Sequence, residues 1–171
     1  MDLPAILFKS AALLILLALS AFFSSAETAF NCANENRLKA LSEEGNKSAA
    51  LALEILTNYS KLISGILIGN NVVNIAASSI ATTLCLMTGY SWAVSVGTGV
   101  LTLLVLLFGE IIPKQWAKLK ADKIVLIYSL FFRAFLFILT PVIFIVDKIS
   151  MFIMWLLRIN TKEGGPAMTE G

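Results

Sequence analysis

The sequence predicts an all-α integral membrane domain, with three transmembrane helices and further helices lying along the membrane surface. Hydrophobic residues make up 58% of the 171 and charged residues only 14%, against about 25% charged in soluble domains. The charge-poor stretches are each long enough to supply the ~20 residues that cross a bilayer. The remaining charges gather in the segments between them. Histidine is missing altogether, which removes the commonest transition-metal ligand and the commonest general base near neutral pH. A net charge of +2 gives no reason to expect a nucleic-acid partner. Cys32 and Cys85 lack any paired metal-ligand spacing and read as free thiols in packing positions.

The first span covers about residues 5–27, and its apolar run from Ala5 to Phe23 is broken only by Lys9, Ser10 and Ser20. That run exceeds the ~7–15 apolar residues of a signal-peptide core, and more membrane segments follow, so it reads as a span. Residues 33–58 have another character. Arg37, Lys39 and Lys47 alternate with Glu35, Glu43, Glu44 and Glu54, while Leu38, Leu41, Leu51, Ala52, Ile55 and Leu56 recur at helical spacing. The pattern predicts two short amphipathic helices beside the membrane, separated by a stop and turn at Gly45-Asn46. The second span, about 62–88, begins with a Gly65/Gly69 pair whose spacing lets another helix approach closely. Gly89-Tyr90-Ser91-Trp92 supplies a tight interfacial turn, and the third span runs over about 91–113.

Lys114, Lys118, Lys120 and Lys123 follow the third span, and further basic residues separate the first two, whereas the Gly89 turn has none. The positive-inside rule therefore predicts a multi-pass protein of the cell membrane, surrounded by the lipid bilayer, with its N-terminus outside and its C-terminus in the cytoplasm. Ile124–Leu157 is apolar but contains Arg133, Asp147, Lys148 and a central Thr140-Pro141. Divided at the proline, each half falls short of the ~30 Å hydrocarbon core at about 1.5 Å per residue. The expectation is a pair of interfacial or re-entrant helices over about 121–158, a single kinked fourth span being the alternative. Residues 161–171 are polar and Gly/Pro-rich and read as a linker toward a cytosolic region.

Three polar clusters interrupt the spans: Ser24-Ser25-Ala26-Glu27-Thr28, then Asn70, Asn71 and Asn74, then Gly109-Glu110. A carboxylate at the depth of Glu110 costs roughly 2.5–3.5 kcal/mol on insertion scales. Pro113 has no N–H to give the carbonyl four residues back, which belongs to Gly109. Asn70, Asn74 and Ser78 stack on one helix face, so three helices can bring oxygen ligands to one depth. Carboxylate, amide, hydroxyl and carbonyl oxygens suit Mg²⁺, Ca²⁺ or Na⁺ and argue against zinc, copper or iron. Spacing does not choose among the hard cations. The simpler readings are local. Ser20 and Ser78 would return their hydroxyls to the backbone, Glu110 would pair with Lys114 at i, i+4, and Glu27 would be a solvated end residue or a lysine's partner. With no nucleophile–base pair in view, an enzyme is not expected.

Phe23-Ser24-Ser25-Ala26-Glu27-Thr28-Ala29, Leu67-Ile68-Gly69-Asn70-Asn71-Val72-Val73-Asn74 and Phe108-Gly109-Glu110-Ile111-Ile112-Pro113-Lys114 resemble, in order, the three signature stretches of the CNNM/CorC transmembrane domain. The resemblance extends from about Ala5 to Lys162. It implies a homodimer that moves Mg²⁺ as the transported ion, with dependence on Na⁺. It also implies an ion site including Ser24, Asn70, the Gly109 backbone and Glu110, with Ser25 and Asn74 as further contributors. Animal members tend to carry Asn where this chain has Glu27, which leaves the role of Glu27 open. Full-length members continue into a cytosolic CBS-pair module that binds adenine nucleotide. The alternative function is a Mg²⁺-sensing or scaffold domain without transport.

Overall fold

The computed structural model describes residues 3–157, and these are helical almost throughout. Helix α1 (Leu3–Cys32) leads through Ala33 and Asn34 into two short helices, α2 (Glu35–Glu43) and α3 (Lys47–Thr57). Helix α4 (Tyr59–Leu86) returns antiparallel to α1. Its far end places Met87 beside Lys9, whose ammonium lies 3.5 Å from the methionine sulfur. At its near end, Tyr59 donates to the Asn31 side chain. A turn at Gly89, with φ of +76°, leads to α5 (Ser91–Leu104), a π-helical segment over Val105–Ile111, and α6 (Ile112–Leu119). These last three form one continuous apolar rod over Trp92–Leu119. Helix α7 (Ala121–Leu156) completes the described chain.

Among the described residues, four helices are long and apolar enough to cross a membrane: α1, α4, the Trp92–Leu119 rod and α7. Their exposed faces are apolar, with Phe8, Leu14, Ile75, Leu103 and Phe137 among the exposed side chains. This suits helices that meet lipid tails rather than water. The chain is a multi-pass membrane protein.

The two amphipathic helices form where the pattern predicts, each opened by an asparagine. Asn34 accepts from the Arg37 N–H at 3.1 Å, and Asn46 accepts from Ser48 and Ala49 at 3.0 and 3.2 Å, satisfying N–H groups that the first helical turn leaves free. Gly45 sits at φ +92° between them, a conformation that glycine adopts at no steric cost. Leu38, Ala49, Ala52 and Ile55 face inward. Asp122 at the start of α7 ties down the start of α2, accepting from the Asn34 backbone at 2.9 Å and from Arg37 at 3.1 Å.

Helix α7 departs from expectation. The sequence reading divides Ile124–Leu157 into two helices at Thr140-Pro141, but the structure has one continuous 36-residue helix with Pro141 inside it, about 54 Å long at 1.5 Å per residue. A proline removes one backbone bond and crowds the preceding turn. The carbonyl left without its donor is that of Phe137, while Thr140 donates its hydroxyl to the Leu136 carbonyl at 2.7 Å, and buried Leu136 and Ile143 hold the helix on either side of the proline. As one helix, α7 is longer than the ~30 Å core that each half alone would fall short of.

The first two-thirds of α7 packs on the C-terminal half of α1 and the N-terminal part of α4. Phe22, Phe23 and Phe30 of α1 meet Tyr128, Phe131, Phe132 and Phe135 of α7, with Phe22 stacked on Phe132 at 5.7 Å and Phe30 edge-on to it at 5.6 Å. Phe132 is fully buried. The glycine pair of α4 serves this packing. A Cβ on Gly65 would strike Leu136, and one on Gly69 would lie 2.6 Å from the Phe23 ring and 3.0 Å from Phe135. Because Phe23 is itself buried, its ring has nowhere to go. We expect Gly69→Ala to lower stability in detergent by about 1–3 kcal/mol, the usual cost of overpacking. Gly99→Ala, which meets nothing within 4 Å, should leave the unfolding midpoint unchanged or slightly raised. Equal midpoints for the two variants would remove the close approach as the reason for Gly69.

Candidate metal site

Glu110 lies in the π-helical segment, where backbone bonds reach five residues back: the Ile112 N–H, for instance, donates to the Leu107 carbonyl. Such single-turn π segments occur often at functional sites. The next residue, Pro113, has no N–H for a carbonyl at either distance, so the backbone accounting changes. In the α register it is Gly109 that loses a donor, whereas in the π register it is Phe108. The sequence argument, which assumed the α register, found only Gly109.

Gly109 is buried against α1. A Cβ there would come within 2.9 Å of Ser20 Oγ and 3.3 Å of Ser20 Cβ, so the absence of a side chain brings this backbone onto the serine. Ser20 Oγ donates to Asn70 Oδ1 at 3.3 Å. Ser20 thus links α1 to α4 beside Gly109, rather than bonding back along its own helix. It is 1% exposed. Sequence reasoning assigned Ser20 no part in the site, although its spacing of four residues from Ser24 puts both on one face of α1.

The expected ligands fall into two adjoining groups. Asn70 and Gly109 each meet Ser20, and Ser24 lies one turn along α1, fully buried. Beside them Asn74 and Glu110 line a shared cavity of about 180 Å³ with Ser78, Thr102 and Val105. The pairs Asn70/Asn74 and Gly109/Glu110 connect the two groups across α4 and the π segment. Ser25 points elsewhere: its hydroxyl donates to the Phe22 carbonyl at 2.8 Å and lies 3.3 Å from Tyr128 Oη on α7.

Two side-chain oxygens in this region are buried without a protein partner, Ser24 Oγ and Asn74 Oδ1. Leaving such a group unsatisfied costs about 1–3 kcal/mol, so each is open to a partner other than the described residues. Both belong to the oxygen set expected to bind a hard cation. Among the described residues, no cluster of three His, Cys, Asp or Glu side chains occurs. A cation here would therefore meet one carboxylate and several neutral oxygens.

The ion-pair reading of Glu110 fails. Lys114 turns from Glu110 to Glu27 on α1, at 3.1 Å. Among the described residues, no basic group lies within salt-bridge distance of Glu110. Glu27 is thus the lysine's partner. Its pair joins α1 to α6 one turn beyond the site, with both side chains partly exposed.

Residues 11–171 match the family described as CNNM, cyclin M transmembrane N-terminal domain. The chain belongs to the CNNM family. It is 40% identical over 151 residues to a UPF0053 protein of Haemophilus influenzae, covering 88% of this chain and 33% of that one. It is 34% identical over 143 residues to the UPF0053 inner membrane protein YfjD of Escherichia coli, covering 84% and 33% respectively. A chloroplastic DUF21 domain-containing protein of Arabidopsis thaliana is 33% identical over 158 residues, 92% of this chain and 24% of its own length. The chain spans about a third of the length of the bacterial relatives it matches.

Because Lys114 is bound to Glu27, it does not serve as the partner of Glu110. Lys114→Gln should lower stability by no more than about 1 kcal/mol, as for other exposed ion pairs, and divalent-cation affinity should stay within about threefold. Calorimetric titration of the detergent-solubilised variant checks this, and a collapse of cation binding would restore a link between Lys114 and Glu110.

Proposed function

We propose that this domain carries Mg²⁺ across the membrane through the Ser24–Asn70–Asn74–Glu110 region, with Na⁺ as the coupled ion. The observation that carries the reading is the coincidence of two buried oxygens lacking protein partners, Ser24 Oγ and Asn74 Oδ1, with a membrane-embedded carboxylate outside salt-bridge reach of any described cation. Mg²⁺ takes hard oxygen ligands and keeps some of its water. A single carboxylate among neutral oxygens suits an ion that must leave as well as enter. In this reading Glu110 neutralises the ion while Ser24, Asn70, Asn74 and a backbone carbonyl beside Pro113 replace part of its hydration. Ser20 holds Asn70 in place. Ser25, whose hydroxyl faces Tyr128, steadies α7 and is not assigned a ligand role.

The choice of Mg²⁺ and of Na⁺ coupling rests on resemblance to CNNM/CorC domains. Lysines at the Glu27 end of the helices support placing that end, with the C-terminus, in the cytoplasm, and the N-terminus outside. Release to or capture from the cytoplasm would then pass the Glu27–Lys114 pair. The full-length protein is proposed to continue into a cytosolic CBS-pair module.

A second copy is the proposed cover for α4. Asn71, Ser78 and Ser79 are exposed along a helix that crosses the membrane and line an open groove with Asn74 and Thr82. Ser79 and Thr82 return their hydroxyls to their own helix at 2.9 Å, but the Asn71 amide faces outward, where lipid would leave it unpaired. A homodimer packed through this face would supply a partner.

Mg²⁺ flux into proteoliposomes, with and without an opposing Na⁺ gradient, tests the reading. The wild type should carry Mg²⁺ faster with the gradient, and Glu110→Gln should lower flux at least tenfold, about 1.4 kcal/mol. Binding without flux in the wild type would favour a sensor or scaffold. Equal flux in both proteins would overturn the role of Glu110.

A further inference from the structure

We propose that the groove between α3, the start of α4 and α7 is a binding site for the headgroup of an anionic phospholipid, with Arg133 and Lys61 as its phosphate ligands. The groove has a volume of about 480 Å³ and is lined by Glu54 and Asn58 at the end of α3, Lys61 of α4, and Leu130, Arg133 and Phe137 of α7.

Its depth in the membrane follows from the charges. Lys61 is the last charged residue before the uncharged run of α4 from Leu62 to Leu86, so it marks the boundary between headgroups and hydrocarbon. Arg133 is the only charged residue of α7 between Lys123 and Asp147. The fold brings it to the same cavity as Lys61. An arginine in so apolar a helix needs an anion, since its guanidinium presents five donors and no acceptor.

Glu54 meets that need only in part. Its carboxylate stands 3.8 Å from Arg133, with both side chains more than half exposed, a distance too long for a hydrogen bond. The groove therefore holds two cations against one acid, a local charge of +1. A phosphate diester in a lipid headgroup supplies one negative charge at this depth. The walls are amphipathic in the same sense. Lys61, Arg133, Glu54 and Asn58 supply the polar lining, while Leu130 and Phe137, 69% and 80% exposed, offer a surface to an acyl chain. Basic pockets between membrane helices bind anionic headgroups in this manner. A second polypeptide would need an acid placed at the same level, whereas every anionic lipid brings one there.

Native mass spectrometry of the detergent-solubilised protein tests the proposal, using added phosphatidylglycerol, phosphatidylethanolamine or inorganic phosphate. The wild type should retain phosphatidylglycerol in preference to the zwitterionic lipid. Arg133→Gln and Lys61→Gln should each lower that retention about fivefold. Glu54→Gln raises the local charge to +2 and should increase it, a gain that a misfolded variant would not give. Equal retention of phosphatidylglycerol by wild type, Arg133→Gln and Lys61→Gln would overturn the site. So would saturable binding of inorganic phosphate with no gain from the lipid, because that outcome describes a free-anion site.

Discussion

Glu110 carries a carboxyl group where an unpaired charge costs about 2.5–3.5 kcal/mol on insertion scales, and the lysine one turn further on belongs to another acid. The surrounding helices are arranged so that this group meets polar neighbours. Gly109 lets the backbone close on Ser20, Ser20 reaches Asn70, and Asn74 shares a cavity with Glu110. Replacing any one of these by a larger or apolar residue would separate the helices or leave a polar group facing hydrocarbon, where water cannot compensate.

The aromatic and glycine contacts of α7 serve the same constraint from the other side. Phe23 lies one residue before Ser24 and packs on Gly69, one residue before Asn70. The close contact that brings α1 to α4 therefore sits directly beside the polar pair. Phe132, buried among Phe22, Phe23 and Phe30, extends this packing to α7. Aromatic pairs of this kind add about 0.5–1.5 kcal/mol each beyond simple burial. Motion of α4 relative to α1 would have to disturb the Gly69–Phe23 contact and the Ser20–Asn70 bond together. The glycine pair is thus coupled to the site as well as to helix packing.

Charges outside the polar pocket are divided by partner. Asp122 holds Arg37 and the start of α2, Glu27 holds Lys114, and Glu54 approaches Arg133 without forming a hydrogen bond. Pairs at exposed positions contribute little to stability, but they decide which charged groups remain available. Glu110 stays available to a cation because Glu27 occupies the lysine. Arg133 keeps its hydrogen-bond donors for a further anion because Glu54, though within ion-pair distance, stands too far away to accept one.

Local pattern along the chain is enough to specify the helical class, the first three long apolar segments, the two amphipathic helices with their break at Gly45, and the polar residues that interrupt the spans. Each of these is written in local terms, as an uncharged run, a helical period or a glycine beside an asparagine. Tertiary structure decided what local pattern does not encode. Pro113 marks a break in backbone bonding, but the π register that changes which carbonyl is freed depends on how the rod packs on α1. Thr140-Pro141 looks like a helix boundary because a proline's cost is local, while the packing of Phe132, Leu136 and Ile143 that carries α7 onward is long-range. The choice of Glu27 rather than Glu110 as partner for Lys114 depended on a crossing between α1 and α6. The place of Ser20 in the site depended on the packing of α1 against α4 and the π segment, where its partners lie.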